Sequence, residues 1–335
     1  MKISASVYVS RGKSLRETVR QLDEHGIDFF HIDCEDNTAV FEDIAEIRKI
    51  SRKPVDLHII SPDPGKFFPL LEKHNVEYAS FQYENLPDGL NPPAHLSSRL
   101  GLAVTSATDT EVFDKYSEIC SFILFMATIP GKSGGQFNKD IFRKIRAFRK
   151  KYPDKKIHVD GGVNGEVSFI LRNMGVFAAV SGSYLFQSAH LGAALLNLKS
   201  HEVESHYRVK DFMLTREEIP VLNPSQRSFG EVLHALENFK LGFIILEGGE
   251  GILEGIISNA DVRKGLLRHL DNLNAAAVND MINTAPVTVN ENDTVEEMLR
   301  KIKAQRFPIN FLPVINDARR VTGALTFFNL IKGEL

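Results

Sequence analysis

The sequence predicts an α/β protein: a (β/α)8 barrel followed by a smaller α+β region that is duplicated within itself. Over residues 2–186, short apolar runs rich in β-branched residues alternate with amphipathic helical stretches, one unit every roughly 20–25 residues. Beyond residue 208, a pattern of about 60–70 residues occurs twice. Eight strand–helix units close best as a barrel, and a doubly wound open sheet is the alternative.

The individual elements follow from the apolar spacing in chain order. The predicted strands are Ile3–Val9, Asp28–Cys34, Val55–Ile60, Tyr78–Tyr83, Leu100–Thr105, Ser121–Thr128, Lys156–Asp160 and Phe177–Ser181. Helical patterns lie between them at Ser14–His25, Val40–Ile50, Lys66–His74, Asp140–Tyr152 and Glu166–Met174. We expect one helix after each strand, because parallel neighbours need a crossover connection.

Composition narrows the class of protein. Hydrophobic residues make up 43% and charged residues 25% of 335 residues, which is typical of a globular protein with two domains. The net charge of -3 argues against nucleic acid as a partner, and the apolar runs are too short for a membrane span. The two cysteines, Cys34 and Cys120, form no disulfide framework, so we expect a reducing, cytoplasmic location.

The chain divides into three predicted parts. The barrel occupies residues 1–200, a polar linker without clear pattern occupies 201–210, and the duplicated region occupies 211–335, with repeats at about 211–270 and 278–335. Each repeat runs through a helix, an apolar strand, a turn and a second apolar strand. Neither repeat buries its apolar face alone, so we expect the two to pack together.

Metal-ligand side chains lie at the carboxyl ends of predicted barrel strands, where barrel active sites are found. Alternation places His31 and Asp33 on one face of the second strand, His58 lies on the third and Asp160 ends the seventh. Two imidazoles and two carboxylates suit a divalent transition metal, namely Zn, Mn, Fe or Co. Taken singly, a strand-end histidine is more often a hydrogen-bonded core residue, and an aspartate before Gly-Gly is very often turn chemistry. The combination of four such residues on three strand ends, with glycines following, is what indicates a site.

Glycines follow the sixth, seventh and eighth predicted strands. Backbone N–H groups at glycines approach an anion closely, and loops after the last strands commonly bind phosphate in this fold. Glycine also ends many strands without binding anything. The candidate phosphate residues are Gly134, Gly135, Gly161, Gly162, Gly182 and Ser183.

These residues together resemble the ribulose-phosphate 3-epimerase family along nearly the whole barrel. The resemblance is carried by Ser6, His31-x-Asp33, Asp56-Leu-His58, Met126, the Pro130–Gln136 loop, Asp160-Gly-Gly-Val-Asn164 and Gly182-Ser183. It implies that His31, Asp33, His58 and Asp160 bind the metal and that Asp33 and Asp160 are the catalytic acid/base pair. It further implies that substrate is bound by Ser6, His58, Met126 and the glycines with Ser183.

The implied reaction is epimerisation of D-ribulose 5-phosphate to D-xylulose 5-phosphate. Removing the proton at C3, next to the carbonyl, gives an enediolate, and a second group must return a proton to the opposite face. The sequence departs from the family at Glu35, Ile60 and Gln82, which leaves a hexulose 6-phosphate open as substrate. A catalytically inactive phosphosugar-binding regulator is the alternative. A decarboxylase or aldol-type synthase is disfavoured, because the third strand has no lysine.

The duplicated region resembles a tandem CBS (Bateman) module of the kind found in arabinose 5-phosphate isomerases. The likeness rests on the segments 255–261, 306–315 and 323–325. It implies a nucleotide or nucleotide-sugar effector, with an adenine or cytidine base, bound by Ser258 and Asp261 and by Thr326 and Asn329. These residue types are also ordinary helix N-caps. Both resemblances imply a homo-oligomer.

Overall fold

The structure, a computed structural model, describes residues 1–10, 12–86, 89–129, 134–199, 206–273, 276–305 and 307–327. These residues form two compact units, one up to residue 199 and the other from residue 206. We call them the barrel unit and the duplicated unit. Among the described residues, no helix combines the length and apolar character needed to cross a bilayer.

The barrel unit is a closed ring of parallel strands in sequential order, with the last strand paired to the first, so the predicted barrel is confirmed. Its strands are β1 (Lys2–Ser6), β2 (Phe29–Glu35), β3 (Val55–Ile60), β4 (Tyr78–Gln82), β5 (Arg99–Thr105), β6 (Phe122–Met126), β7 (Lys156–Asp160) and β8 (Ala178–Ser181). The first strand is shorter than predicted, because residues Val7–Val9 form a 3-10 turn over the barrel rim.

The outer ring contains α1 (Leu15–Glu24), α2 (Val40–Arg48), α3 (Phe68–Lys73), α4 (Asp140–Lys151), α5 (Gly165–Asn173), α6 (Ser183–Gln187) and α7 (Leu191–Lys199). The prediction of one helix after each strand is wrong at two places. In the described residues, β4 is followed by the 3-10 turn Tyr83–Asn85 and β5 by the 3-10 segment Thr110–Tyr116. Prolines after Asn85 explain the first case, because each removes a backbone donor that an α-helix needs.

Strand alternation decides which side chains enter the barrel. On β2, Ile32 and Cys34 are fully buried away from the axis, whereas His31 and Asp33 contact side chains of β3 across the barrel interior. Below them an aromatic layer closes the barrel, in which the His158 ring stacks on Phe122 with 4.2 Å between centroids. The interior therefore has an apolar floor and a polar upper layer.

The duplicated unit contains α8 (Val209–Phe212), β9 (Leu214–Thr215), β10 (Val221–Leu222), α9 (Phe229–Phe239), β11 (Phe243–Glu247), β12 (Leu253–Ser258), α10 (Asn259–Arg268), β13 (Val289–Asn290), α11 (Val295–Lys303), β14 (Phe311–Ile315) and β15 (Val321–Thr326). Its two sheets have the orders β10-β11-β12 and β13-β14-β15-β9. In the two hairpins Phe243 pairs with Ser258 and Phe311 pairs with Thr326, which is the same register in both repeats. The predicted α+β pair is confirmed.

Strand β9 precedes the first repeat's helix but pairs with β15 of the second repeat. This exchange explains why neither repeat buries its apolar face alone. Helix α8 begins at Val209, inside the segment 201–210 that was predicted as linker, and Val209 is fully buried. The sequence does not predict this helix, because a single buried turn among polar residues is too short to show a helical pattern of apolar residues.

Candidate active site

Four side chains meet at the upper end of the barrel. His31 and Asp33 come from β2, His58 from β3 and Asp160 from β7, and one ligand atom of each lies within 4.8 Å of the others. The parallel register brings them together, since Asp33 on β2 pairs directly with His58 on β3. The structure thus gathers all four residues that the sequence predicted as metal ligands.

The ring of His31 is fully buried and held from below. Its Nδ1 lies 3.1 Å from Oδ2 of Asp56, and Ser4 Oγ donates a hydrogen bond to the same oxygen at 3.0 Å. Since an ionised carboxylate only accepts, Nδ1 of His31 is the donor. Its Nε2 lies 3.4 Å from Asp33 Oδ1 and 3.7 Å from Asp160 Oδ2.

The ring of His58 is held from the side. Its Nδ1 lies 3.3 Å from Asp33 Oδ1, and its Nε2 lies 2.8 Å from Gln82 Oε1. The amide nitrogen of Gln82 donates in turn to the carboxylate of Glu84. Both imidazoles therefore direct one nitrogen to the cluster and the other to a hydrogen-bond partner, as metal-binding histidines commonly do.

The two carboxyl groups of the cluster are electrostatically different. Burial raises the pKa of Asp160 to about 6; the imidazole of His31 opposes this rise, and the carboxylate of Asp33 adds to it. Burial also opposes ionisation of Asp33, but His31 and His58 outweigh it and hold the pKa of Asp33 below its ordinary value. Carboxyl groups with divergent pKa values suit an acid/base pair.

The residues of the cluster fit a divalent metal ion. Within the described part of the chain, Nε2 of His31 is buried without a hydrogen-bond partner, although it faces two carboxylates. A buried polar atom without a partner is costly, and a cation between these four groups would satisfy it. Two imidazole nitrogens and two carboxylate oxygens suit Zn, Mn, Fe or Co.

A cavity of about 730 Å³ opens above the cluster. Seven of the nine predicted substrate residues line it together with the catalytic candidates Asp33 and Asp160, namely Ser6, Met126, Gly134, Gly161, Gly162, Gly182 and Ser183. The other two, His58 and Gly135, are not among the residues that line the cavity: His58 is a fully buried member of the cluster, and a Cβ at Gly135 would lie 2.8 Å from Thr128 Cγ2. Residues 130–133 of the predicted phosphate loop lie outside the described residues.

Two of these glycines are required by their surroundings. Gly161 and Gly162 have φ values of +105° and +65°, which side chains rarely adopt. A Cβ at Gly161 would lie 2.1 Å from Thr128 Oγ1, and one at Gly162 would lie 2.4 Å from the backbone nitrogen of Phe137. The turn after β7 therefore brings bare backbone to the cavity, as an anion site needs.

The duplicated unit has a separate cavity of about 650 Å³. Ser258 and Asp261 line it together with Arg263 and Lys264, and its remaining wall is largely apolar. Asp261 also accepts hydrogen bonds from the backbone N–H and hydroxyl of Ser258, so the helix-cap interpretation of this pair holds as well. Of the other predicted nucleotide residues, Thr326 does not line this cavity and Asn329 lies outside the described residues.

Sequence reasoning missed the supports of the two imidazoles. Asp56 and Gln82 are almost fully buried and contact His31 and His58 directly, yet neither had been assigned a role. Alternation along β3 and β4 places both residues inside the barrel, so the signal was present. Cys34 lies next to Asp33 but is fully buried, and burial raises the pKa of its thiol to about 11, so it is a residue of the core and not a nucleophile.

Comparison with known proteins agrees with this geometry. The profile of the Ribulose-phosphate 3 epimerase family matches residues 2–186, and that of the CBS domain matches residues 278–334. Ribulose-phosphate 3-epimerase of Methanocaldococcus jannaschii is 27% identical over 226 residues, covering 64% of this chain and 95% of the relative. Ribulose-phosphate 3-epimerase of Synechocystis is 24% identical over 216 residues, covering 59% of this chain and 93% of the relative.

The duplicated unit is similar to a solved structure described as CBSX2 in complex with AMP. The identity is 25%, the TM-score is 0.32, and the match covers 38% of this chain and 96% of that one. The barrel match alone spans more than half of the 335 residues. The chain therefore belongs to the ribulose-phosphate 3-epimerase family of isomerases.

Proposed function

We propose that the barrel catalyses metal-dependent 3-epimerisation of a ketose phosphate, with D-ribulose 5-phosphate and D-xylulose 5-phosphate as the pair. The observation that carries this proposal is the meeting of Asp33 and Asp160, from strands β2 and β7, with two imidazoles below an open cavity. Inverting a carbon next to a carbonyl needs a proton acceptor on one face and a proton donor on the other, and two carboxyl groups from separate strands can supply both.

His31, Asp33, His58 and Asp160 would hold the ion, which is Zn, Mn, Fe or Co. When bound, it supplies Lewis-acid stabilisation of the negative charge that develops on the substrate oxygens. Asp56 and Gln82 keep the two imidazoles aimed at the cluster. The chain thus positions its ligands before substrate arrives, which lowers the cost of ordering the site.

The two carboxyl groups move the proton. One carboxylate removes the proton from C3 on one face of the sugar, and the other carboxyl delivers a proton to the opposite face. The divergent pKa values of Asp33 and Asp160 favour one group as carboxylate and the other as acid. Gly161, Gly162 and Gly182 line the cavity, and their backbone N–H groups would hold the phosphate and so fix C3 relative to both carboxyls.

The decisive experiment is hydrogen–deuterium exchange at C3 of D-ribulose 5-phosphate in D2O, followed by NMR with and without added Zn or Mn. Exchange with appearance of D-xylulose 5-phosphate is expected from the wild type and not from Asp33→Asn or Asp160→Asn. The exposed Asp114, which pairs with Lys151 far from the cluster, provides the control Asp114→Asn.

The substrate itself is tested by the same measurement. A hexulose 6-phosphate adds one carbon, and a cavity of about 730 Å³ has room for either sugar. Exchange with the hexulose alone would keep the mechanism and change the substrate. No exchange with any ketose phosphate in folded, metal-loaded protein would contradict the proposal and favour a phosphosugar-binding regulator.

We further propose that the duplicated unit binds a nucleotide with an adenine or cytidine base. The apolar wall of its cavity suits a base, Asp261 suits a ribose diol, and Arg263 with Lys264 suits phosphate. In calorimetric titrations, AMP, ATP or CMP should bind with higher affinity than adenosine, which has no phosphate. Arg263→Gln combined with Lys264→Gln should weaken this binding, and the absence of heat at millimolar nucleotide would contradict the proposal.

Two expectations from the sequence stay predictions. A homo-oligomer is tested by analytical ultracentrifugation of the full chain. A cytoplasmic location is supported by the free, buried state of both Cys34 and Cys120.

A further inference from the structure

A chain of hydrogen bonds leads away from the metal-ligand cluster through the end of strand β4. His58 Nε2 lies 2.8 Å from Gln82 Oε1, and the Gln82 amide nitrogen donates to Glu84 Oε2. Glu84 is held in turn by the backbone N–H of Thr105 at 2.9 Å and by the hydroxyl of Thr108. Both His58 and Gln82 are almost completely buried, so water does not replace these contacts.

Glu84, the member farthest from the cluster, determines which groups donate and which accept along this series of hydrogen bonds. Burial raises the pKa of Glu84, but the hydrogen bonds from Thr108, Thr105 and Gln82 outweigh it and keep the pKa below its ordinary value. An ionised carboxylate only accepts hydrogen bonds, so the Gln82 amide must turn its NH2 group to Glu84. Its oxygen then faces His58, whose Nε2 must carry the proton.

The proton on His58 has two competing acceptors. Asp33 Oδ1 lies 3.3 Å from Nδ1 and attracts the proton to that nitrogen. A proton on Nδ1 would block the nitrogen that faces the cluster. Gln82 attracts the proton to Nε2 and so leaves a lone pair on Nδ1.

We propose that Gln82 and Glu84 are positioning residues that select the tautomer of His58 able to bind a metal. Glu84 orients the Gln82 amide, and Gln82 holds the proton on Nε2 of His58. His31 has the equivalent support in a single step, because the Asp56 carboxylate accepts directly from its Nδ1. This inference rests on the metal site of the proposed function.

One substitution away from the cluster gives the sharpest test. In Glu84→Gln the new amide can accept from Thr105 and Thr108 and donate to the oxygen of Gln82. Gln82 would then flip and present its NH2 group to His58. The proton of His58 would move to Nδ1, where it pairs with Asp33. We expect Co²⁺ to bind this variant about 10–100-fold more weakly than the wild type.

The double variant Gln82→Glu with Glu84→Gln reverses this effect. Its carboxylate at position 82 accepts from both His58 and the new amide, and every hydrogen bond of the wild type is kept. We expect the double variant to regain the wild-type affinity for Co²⁺. The matched control is Ser80→Ala, because Ser80 lies on the same face of β4 and its buried Oγ has no hydrogen-bond partner among the described residues.

Two readouts on the full chain separate a positioning role from a structural one. The Co²⁺ affinity of chelator-stripped protein is measured by visible absorption. The tautomer of His58 is measured by two-bond ¹H–¹⁵N correlation in metal-free protein, at about two pH units above the ordinary histidine pKa of about 6.5. We expect the Nε2–H tautomer in the wild type, Ser80→Ala and the double variant, and the Nδ1–H tautomer in Glu84→Gln.

Wild-type affinity together with the wild-type tautomer in Glu84→Gln would overturn the inference. Failure of the double variant to regain affinity, at an unchanged melting temperature, would overturn it as well. If the wild type binds no Co²⁺, the metal site of the proposed function fails, and the tautomer spectra still decide the role of Gln82.

Discussion

Replacing His158 with phenylalanine is expected to reduce the stability that the barrel unit loses on acidification. The His158 ring is fully buried, with its centroid 4.2 Å from that of Phe122 and 5.4 Å from that of Phe177. Neither ring nitrogen has a hydrogen-bond partner in the described residues. The charged neighbour of the ring is Asp56, whose Oδ1 lies 3.9 Å from Nδ1, beyond hydrogen-bond distance. A phenyl ring of similar shape therefore replaces the imidazole without breaking a hydrogen bond.

The magnitude follows from proton linkage. Burial lowers the pKa of His158 to about 4, against about 6.5 for an unfolded histidine. Because the unfolded state binds the proton more readily, stability is lost as the pH falls through this window. Between pH 7 and pH 5 the loss from this one group is about 2 kcal/mol, which corresponds to about 4–8 °C in melting temperature for a unit of this size.

The assay is calorimetric unfolding of the metal-free full chain at both pH values. The wild type should lose about 4–8 °C more than His158→Phe between them. The variant His95→Gln is the control, because His95 has an exposed side chain, and it should behave as the wild type does. Equal losses in the wild type and in His158→Phe would refute the reasoning.

Three further predictions concern other parts of the molecule. Gly162→Ala should raise KM for the sugar phosphate roughly tenfold and cost about 2–4 kcal/mol by thermal unfolding, because it strains the turn against a main-chain nitrogen; an unchanged KM would contradict the phosphate role. Burial raises the pKa of Cys34 to about 11 and of Cys120 to about 12, so neither thiol should react with a disulfide reagent at about pH 8 until denaturant is added. Ser258→Ala should cost about 1 kcal/mol and weaken nucleotide binding, measured by calorimetry, whereas Ser228→Ala removes an equivalent helix cap and should leave nucleotide affinity unchanged.

Much of the fold was predictable because its signals are local. Alternation of apolar and helical runs is a property of neighbouring residues, and it placed all eight barrel strands within a few positions of their observed bounds. The 3-10 segment Thr110–Tyr116 was not foreseen, because seven residues are too few to reveal which helix type they form. The helix at Val209 was missed for the same reason.

The sequence alone determined which side chains reach the cluster, because strand alternation and the ends of parallel strands decide this for His31, Asp33, His58 and Asp160. Only the tertiary structure decided which nitrogen of each ring faces the cluster and which carboxyl has the raised pKa. The orientation of the His31 ring depends on Asp56, and that of the His58 ring depends on Gln82; in both cases the partner comes from the neighbouring strand. The pKa values of the two carboxyls also depend on burial, which no single strand creates. Electrostatic properties arise from distances between residues that the chain itself keeps apart, so they appear only when the barrel closes.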